Sequence, residues 1–298
     1  MKLITSSNRI FKSFGEQEGI RILKEAGYDA LDLTLTRLST DPGYRLCGTD
    51  YASYAKQVAK WAKEADIPFL QSHTPFEFHW ENPNELEDRF FPLTIKALEI
   101  SAAVGVKIAV VHPYTYGATN RNQEEIFDLN MRIYRLLLPY AKEFDVKIAL
   151  ENMYRRDEKR NVFVPSTCGT PEQFNQYLDA LDSDYAVGCL DLGHASLVGI
   201  EAQDFIRAMG ADRIQALHVS DNDYLHDTHT LPGLGCMDWD EILKALAEIG
   251  YQGHFTYEAD RFMKNFEDAF KPTASRFMAE RGKFLIRKFQ QYPMTGAF

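Results

Sequence analysis

Two stretches, VKIAVVH (Val106–His112) and VKIALEN (Val146–Asn152), decide how this chain is read. Both begin with the same four residues, run on as a short apolar strand pattern and end on polar side chains, His112 in one and Glu151 with Asn152 in the other. Each follows a helical pattern that closes in a small or acidic turn. The segments KEAGYDALDLTLT (24–36), KEADIPFLQSH (63–73) and LAEIGYQGHFTYE (246–258) keep the same plan. Short apolar runs alternating with helical stretches indicate βα units, whose parallel strands are covered on both faces.

Working outward, eight candidate strands fall near residues 2–6, 28–35, 67–72, 106–111, 146–150, 185–190, 213–218 and 253–258. Eight βα units in 298 residues predict a (β/α)8 TIM barrel, an α/β fold formed as a single domain over residues 1–298. A doubly wound open sheet is the alternative, but no G-x-G-x-x-G or P-loop follows the first strand. Ser13-Phe14-Gly15-Glu16 reads as a capping box before a helix ending near Gly27. Thr170-Pro171-Glu172-Gln173 reads as a second helix start, and a final helix is expected from Asn265 onward.

Active sites of such barrels lie at the carboxyl ends of the strands. Those ends carry His73, His112, Glu151, Asp191 with His194 (from GCLDLGHA, Gly188–Ala195), His218 and Glu258, in chain order. The long loop after the seventh strand adds Asp227 and His229. From His73 through His112, Glu151, Asp191 and His218 to Glu258 the spacings are 39, 39, 40, 27 and 40 residues, close to one βα unit each. Carboxylates and imidazoles are costly to bury unpaired, and like carboxylates repel unless a cation or proton sits between them. A ring of them around one mouth therefore marks a metal or catalytic site. His79, His226 and His254 have no such register and read as ordinary hydrogen-bonded histidines. The mixed-sign run YRRDEKR, Tyr154–Arg160, reads as a solvated loop, and Phe127, Met131 and Tyr134 read as helical core. LPGLGCMDW (231–239) reads as a turn before a helix rather than a phosphate site, since residues 222–243 contain no lysine or arginine.

The 33 basic and 43 acidic residues give a formal net charge of −10, a poor balance for binding duplex DNA. The loop after His73, TPFEFHWENPNELED, is acidic and aromatic. No apolar run approaches membrane-spanning length, and no basic-then-apolar leader opens the chain. The four cysteines form no C-x-x-C pair and read as reduced thiols of a cytoplasmic protein.

The motifs SHTPF, VVHPY, ALENM, CLDLGHA, ALHVSDN, DTHTLPGLG and FTYEAD run in order along nearly the whole chain. With them the chain resembles the xylose-isomerase-like (β/α)8 superfamily, which includes sugar and sugar-phosphate isomerases and epimerases and the type-IV apurinic endonucleases. Resemblance to its ketose 3-epimerases implies one divalent metal held by Glu151, Asp191, His218 and Glu258, with His194 binding substrate. Several of those epimerases have an arginine where this chain has His229. Endonuclease-like members have a histidine there, in a D-x-H motif matched by Asp227 and His229. All nine ligand positions of the trinuclear zinc endonucleases have counterparts: His73, His112, Glu151, Asp191, His194, His218, Asp227, His229 and Glu258.

The favoured expectation is a metal-dependent sugar or sugar-phosphate isomerase or epimerase acting through an enediolate, with Glu151 and Glu258 as the catalytic pair. His73, His112, His194 and His229 would bind substrate, beside Phe76 and Trp80 as pocket walls. One Mn2+, Co2+, Mg2+ or Zn2+ ion would suit the ligand mix. The expected partner is a small sugar or sugar phosphate, with no nucleic acid and no membrane; a homo-oligomer is left open. An endonuclease-like zinc phosphodiesterase is the alternative, and a non-catalytic sugar-binding barrel ranks below it.

Overall fold

The computed structural model of the chain describes residues 1–76, 85–115 and 123–294. Its strands are β1 (Leu3–Ser6), β2 (Ala30–Thr34), β3 (Phe69–His73), β4 (Ile108–Val110), β5 (Lys147–Glu151), β6 (Tyr154–Asp157), β7 (Val162–Pro165), β8 (Ala186–Asp191), β9 (Ile214–His218) and β10 (Phe255–Tyr257). Its helices are α1 (Asn8–Ala26), α2 (Arg37–Thr40), α3 (Tyr51–Glu64), α4 (Phe91–Ala103), α5 (Gln123–Phe144), α6 (Pro171–Leu181), α7 (Leu192–Leu197), α8 (Ala202–Met209), α9 (Trp239–Glu248) and α10 (Lys271–Phe289). Eight strands form one parallel sheet in the order β10-β1-β2-β3-β4-β5-β8-β9. A parallel bridge from Val219 to Tyr257 draws its two edges together, and the helices surround a nearly closed TIM barrel.

Strand side chains alternate between faces, and this parity positions the site. In β5, Ile148 and Leu150 join the outer core beneath the helices, whereas Ala149 belongs to a small inner core with Val110, Val187, Cys189 and Ala216. Two residues beyond Ala149, Cys189 and Ala216 stand Glu151, Asp191 and His218, on the same inner face. The apolar residues of each strand thus close the barrel, and the next inward position places a polar group at its mouth. Below that mouth the interior is polar on its other side: Gln71 donates to Asp32 at 2.9 Å and Thr256 donates to Gln71 at 3.2 Å.

Several local expectations are corrected. The run from Tyr154 is not a solvated loop but a hairpin, with β6 antiparallel to β7. Its arginines face solvent while Tyr154 turns inward against Phe163 and His194, with ring centroids 4.9 and 4.8 Å away. Ser13 does not cap a helix, because α1 already starts at Asn8. Gly15 breaks α1 at φ 76°, a conformation glycine adopts freely, and the Ser13 hydroxyl donates to Asp268 instead. The last helix begins at Lys271, after two 3-10 turns at Asp260–Met263 and Asp268–Phe270. The second helix start holds: Thr170 Oγ1 accepts from the Gln173 N–H at 3.3 Å and Pro171 opens the first turn of α6. Met131 and Tyr134 are buried, and Phe127 is partly buried at the core edge with its ring centroid 4.9 Å from that of Tyr177. His79 and Trp80 lie outside the described residues.

Helix α10 seals the seam between β1 and β10. A Cβ on Gly282 would lie 2.5 Å from Leu3 Cδ1 and 3.0 Å from Tyr257 Cε2, both in the buried core. Gly282→Val is therefore expected to destabilise the fold by about 1–3 kcal/mol through overpacking. A lower urea midpoint at unchanged slope would register it, and an unchanged midpoint would show that α10 does not need this close approach.

Candidate active site

At the barrel mouth the ends of β5 and β8 are clamped together. Asn152 Oδ1 accepts from the Asp191 N–H at 2.7 Å, and Asn152 Nδ2 donates to the Asp191 carbonyl at 2.9 Å. Asp191 in turn caps α7, its Oδ1 accepting from the His194 N–H at 2.7 Å. His194 Nδ1 lies 2.9 Å from the Asn152 carbonyl. A carbonyl only accepts, so Nδ1 carries the proton and Nε2 is left as the donor atom for a ligand.

His218 Nδ1 stands between the two glutamates, 3.1 Å from Glu151 Oε1 and 3.2 Å from Glu258 Oε2. With Asp191 these residues offer four ligand atoms within 4.8 Å of one another. Glu151 and Asp191 are fully buried; Asp191 Oδ2 has no hydrogen-bond partner among the described residues, and Glu151 Oε2 and Glu258 Oε2 are met only by imidazole nitrogens. Buried carboxylates gathered this closely are costly unless a cation neutralises them, so the donor set fits a divalent ion. Three further groups qualify on the same geometry: His73 with His112 and Glu151, His73 with His218 and Glu258, and His194 with Asp227 and His229. His73 Nε2 and His112 Nε2 are 2.8 Å apart, and His112 Nε2 is 2.9 Å from Glu151 Oε2.

The two glutamates are driven in opposite directions. Burial pushes Glu258 up to about 7, against the pull of His218 and His229. Burial also opposes ionisation of Glu151, but His218 and His112 outweigh it and hold this carboxyl well below the usual range. Burial alone would lower His229; its hydrogen bond to Asp227 and the nearby Glu258 instead raise it to about 10. Below them, burial lifts Asp32 to about 6.

The loop after β9 brings Asp227 and His229 to the mouth, and a buried carboxylate holds that loop. Asp221 accepts from the N–H groups of Asn222 (2.9 Å), Gly233 (2.7 Å) and Met237 (3.2 Å) and from the Trp239 indole (2.8 Å). His229 adopts φ 42°, left-handed and unfavourable for a side chain. In that pose its Nδ1–H donates to the Glu258 carbonyl at 2.9 Å and its Nε2 lies 3.0 Å from Asp227 Oδ1.

All the strand-end residues singled out from sequence meet at this mouth. His226 pairs with Asp223 on the surface and His254 sits at the start of β10, away from it. The mouth holds two lobes of about 170 and 320 Å3, and Phe76, His229, Glu258 and Arg261 line both. Phe76 stacks on His112 with ring centroids 4.4 Å apart. Sequence reasoning missed Tyr154, Asn152, Asp221, Arg9 and Arg261. Asn152 and Asp221 stand inside quoted motifs, next to or near singled-out residues, which was the available signal.

Residues 20–277 match the family described as the xylose isomerase-like TIM barrel. The chain belongs to that family. An uncharacterized protein of Methanocaldococcus jannaschii is 30% identical to this family member over 210 residues, 67% of this chain and 66% of that protein. The chain thus spans just under two-thirds of that relative's length. A D-psicose 3-epimerase of Enterocloster bolteae is 31% identical over 123 residues, 41% of this chain and 36% of the epimerase. A solved structure of the IolI protein with a zinc atom superposes with a TM-score of 0.72 at 19% identity, covering 98% of this chain and 99% of that one. At that identity the likeness speaks for the barrel fold. No helix among the described residues is long and apolar enough to cross a membrane.

Asp221→Ala would strand four N–H donors, at about 1–3 kcal/mol for each that stays buried. The expected result is a stability loss of at least about 3 kcal/mol, with faster amide exchange across residues 222–237 than elsewhere. Uniform exchange in the variant would mean that Asp221 does not hold the loop.

Proposed function

We propose that this family member is a metal-dependent sugar or sugar-phosphate isomerase or epimerase working through an enediolate. The observation that carries the reading is the placement of Glu151 and Glu258 on either side of His218 Nδ1, within one four-residue donor set. A divalent cation held by Glu151, Asp191, His218 and Glu258 would polarise a carbonyl and offset the charge of the enediolate. One glutamate would remove a proton from the carbon beside the carbonyl and the other would deliver one to the opposite face, giving epimerisation. Delivery to the neighbouring carbon would give isomerisation. Carboxyls driven apart, one held ionised and one near neutrality, suit such a division of labour. His73, His112, His194 and His229 would hold substrate hydroxyls, and Phe76 would keep one side of the pocket apolar. The partial match to a D-psicose 3-epimerase supports the substrate class, and the zinc atom of IolI supports the metal, with Mn2+, Co2+ and Mg2+ equally suited to this ligand mix.

A second reading, a zinc phosphodiesterase of the apurinic-endonuclease kind, draws support from the extra donor groups at His73–His112–Glu151 and His194–Asp227–His229. The net charge of −10 argues against a DNA substrate.

Elemental analysis should find one divalent ion per chain in the wild type and much less in Asp191→Asn. Equal metal content in the two proteins would refute the ligand set. In D2O the metal-loaded enzyme should wash deuterium into a ketose or its phosphate beside the carbonyl. Glu151→Gln and Glu258→Gln should each slow turnover by about a hundredfold or more, the usual worth of a positioned general base. Abasic-DNA cleavage with about three zinc ions bound, and no exchange with any sugar, would establish the second reading instead.

A further inference from the structure

Two guanidinium groups stand at the rim of the mouth. Arg9, in the first turn of α1, and Arg261, in the turn after β10, line the smaller lobe together with His218 and Glu258. Neither belongs to a metal-capable donor group. Each is anchored along one edge: Arg9 Nε donates to the Asp260 carbonyl at 3.0 Å, and Arg261 Nη1 donates to the Asp227 carbonyl at 2.5 Å and lies 3.2 Å from Asp227 Oδ2. Asp260 Oδ2 is 3.7 Å from Arg9 Nε, too far for a hydrogen bond. Both terminal nitrogens of Arg9, and Nη2 of Arg261, have no hydrogen-bond partner among the described residues. The same lobe is lined by the neutral hydrogen-bonding groups Ser6, Asn8, Thr34 and Thr36 and by two further carboxylates, Asp32 below the mouth and Asp260 beside Arg9.

The lobe is therefore asymmetric. Its inner end is crowded with carboxylates that call for a cation, while its rim offers two held guanidiniums whose spare N–H groups match the oxygens of an oxyanion. A free ketose offers those N–H groups only neutral hydroxyl oxygens, whose hydrogen bonds are weaker than those of an oxyanion. At about 170 Å3 the lobe holds the volume of about six waters, room for an oxyanion and the adjoining end of a sugar. We propose that the substrate is a sugar carrying an oxyanion, a phosphate ester or a carboxylate, at the end remote from the reacting carbonyl, and that Arg9 and Arg261 bind this group. The inference rests on the sugar reading above. A nucleic-acid backbone also offers oxyanions, but the acidic chain disfavours it.

Titration of the metal-loaded protein at fixed ionic strength with a ketohexose, its terminal phosphate ester and the corresponding keto-acid sugar tests this directly. One of the two charged sugars should bind at least tenfold more tightly than the free ketose, and which one does so names the oxyanion. Arg9→Gln and Arg261→Gln should each weaken that binding by roughly ten- to a hundredfold, the worth of a hydrogen bond to a charged group, and Arg9→Lys should restore part of it. Thermal midpoints of the variants separate lost binding from lost folding, and Arg9→Lys keeps the test open if the glutamine variants unfold. Equal binding of charged and free sugars, or a charge preference that survives Arg9→Gln, would overturn the inference. Tighter binding of an abasic oligonucleotide than of any sugar would overturn it too, by assigning the guanidiniums to a nucleic-acid backbone. Charge preference without isotope exchange would leave the oxyanion site standing and sink only the enediolate reading, whereas exchange without charge preference would do the reverse.

Discussion

Negative charge gathered at one end of the barrel is the constraint on which the rest of the structure depends. Glu151 and Asp191 are fully buried and Glu258 partly so, and Asp191 Oδ2 has no hydrogen bond among the described residues. Such a cluster persists only where the surrounding fold holds it rigidly and something positive answers it. Imidazoles supply part of that answer. His218 bridges the two glutamates, and His229 is driven to its charged form by Asp227 and Glu258. The remaining deficit is the physical argument for a cation.

Rigidity comes from the neighbours of these groups. The Asn152 clamp joins two strand ends, the capping bond of Asp191 fixes the first turn of α7, and carbonyls of Asn152 and Glu258 fix how the rings of His194 and His229 are turned. Asp221 takes no place at the mouth, yet it gathers four N–H donors from the loop that delivers Asp227 and His229. The strained φ of His229 is tolerable because that loop is pinned. Outside this inner ring the chemistry changes sign, from carboxylates that need a cation to guanidiniums at the rim that suit an anion.

The barrel and the inner ring were legible in the sequence because short apolar runs, each ending in a polar group, recur at a regular interval between helical stretches. The apolar runs KIALE and GCLD showed where Glu151 and Asp191 end their strands, and the structure put Ala149 and Cys189 two positions before them on the inner face. The helix start at Thr170 was equally local, a single side chain meeting a nearby N–H. The hairpin from Tyr154 was not legible, since its charges masked a strand pattern whose partner lies across a turn. Ser13 misled for a similar reason: it fits a cap, but its hydroxyl is taken by Asp268, 255 residues away in the chain.

What the sequence determined by itself was therefore the order of βα units and the polar groups that stand at their strand ends, both properties of short stretches recurring at a regular interval. Only the tertiary structure decided which donors share a centre, which way each imidazole is turned, how Glu151 and Glu258 are driven apart, and that Arg9 and Arg261 meet at one rim. Each of those depends on distances between groups far apart in the chain and on how deeply closing the barrel removes them from water, and neither quantity is written in local spacing.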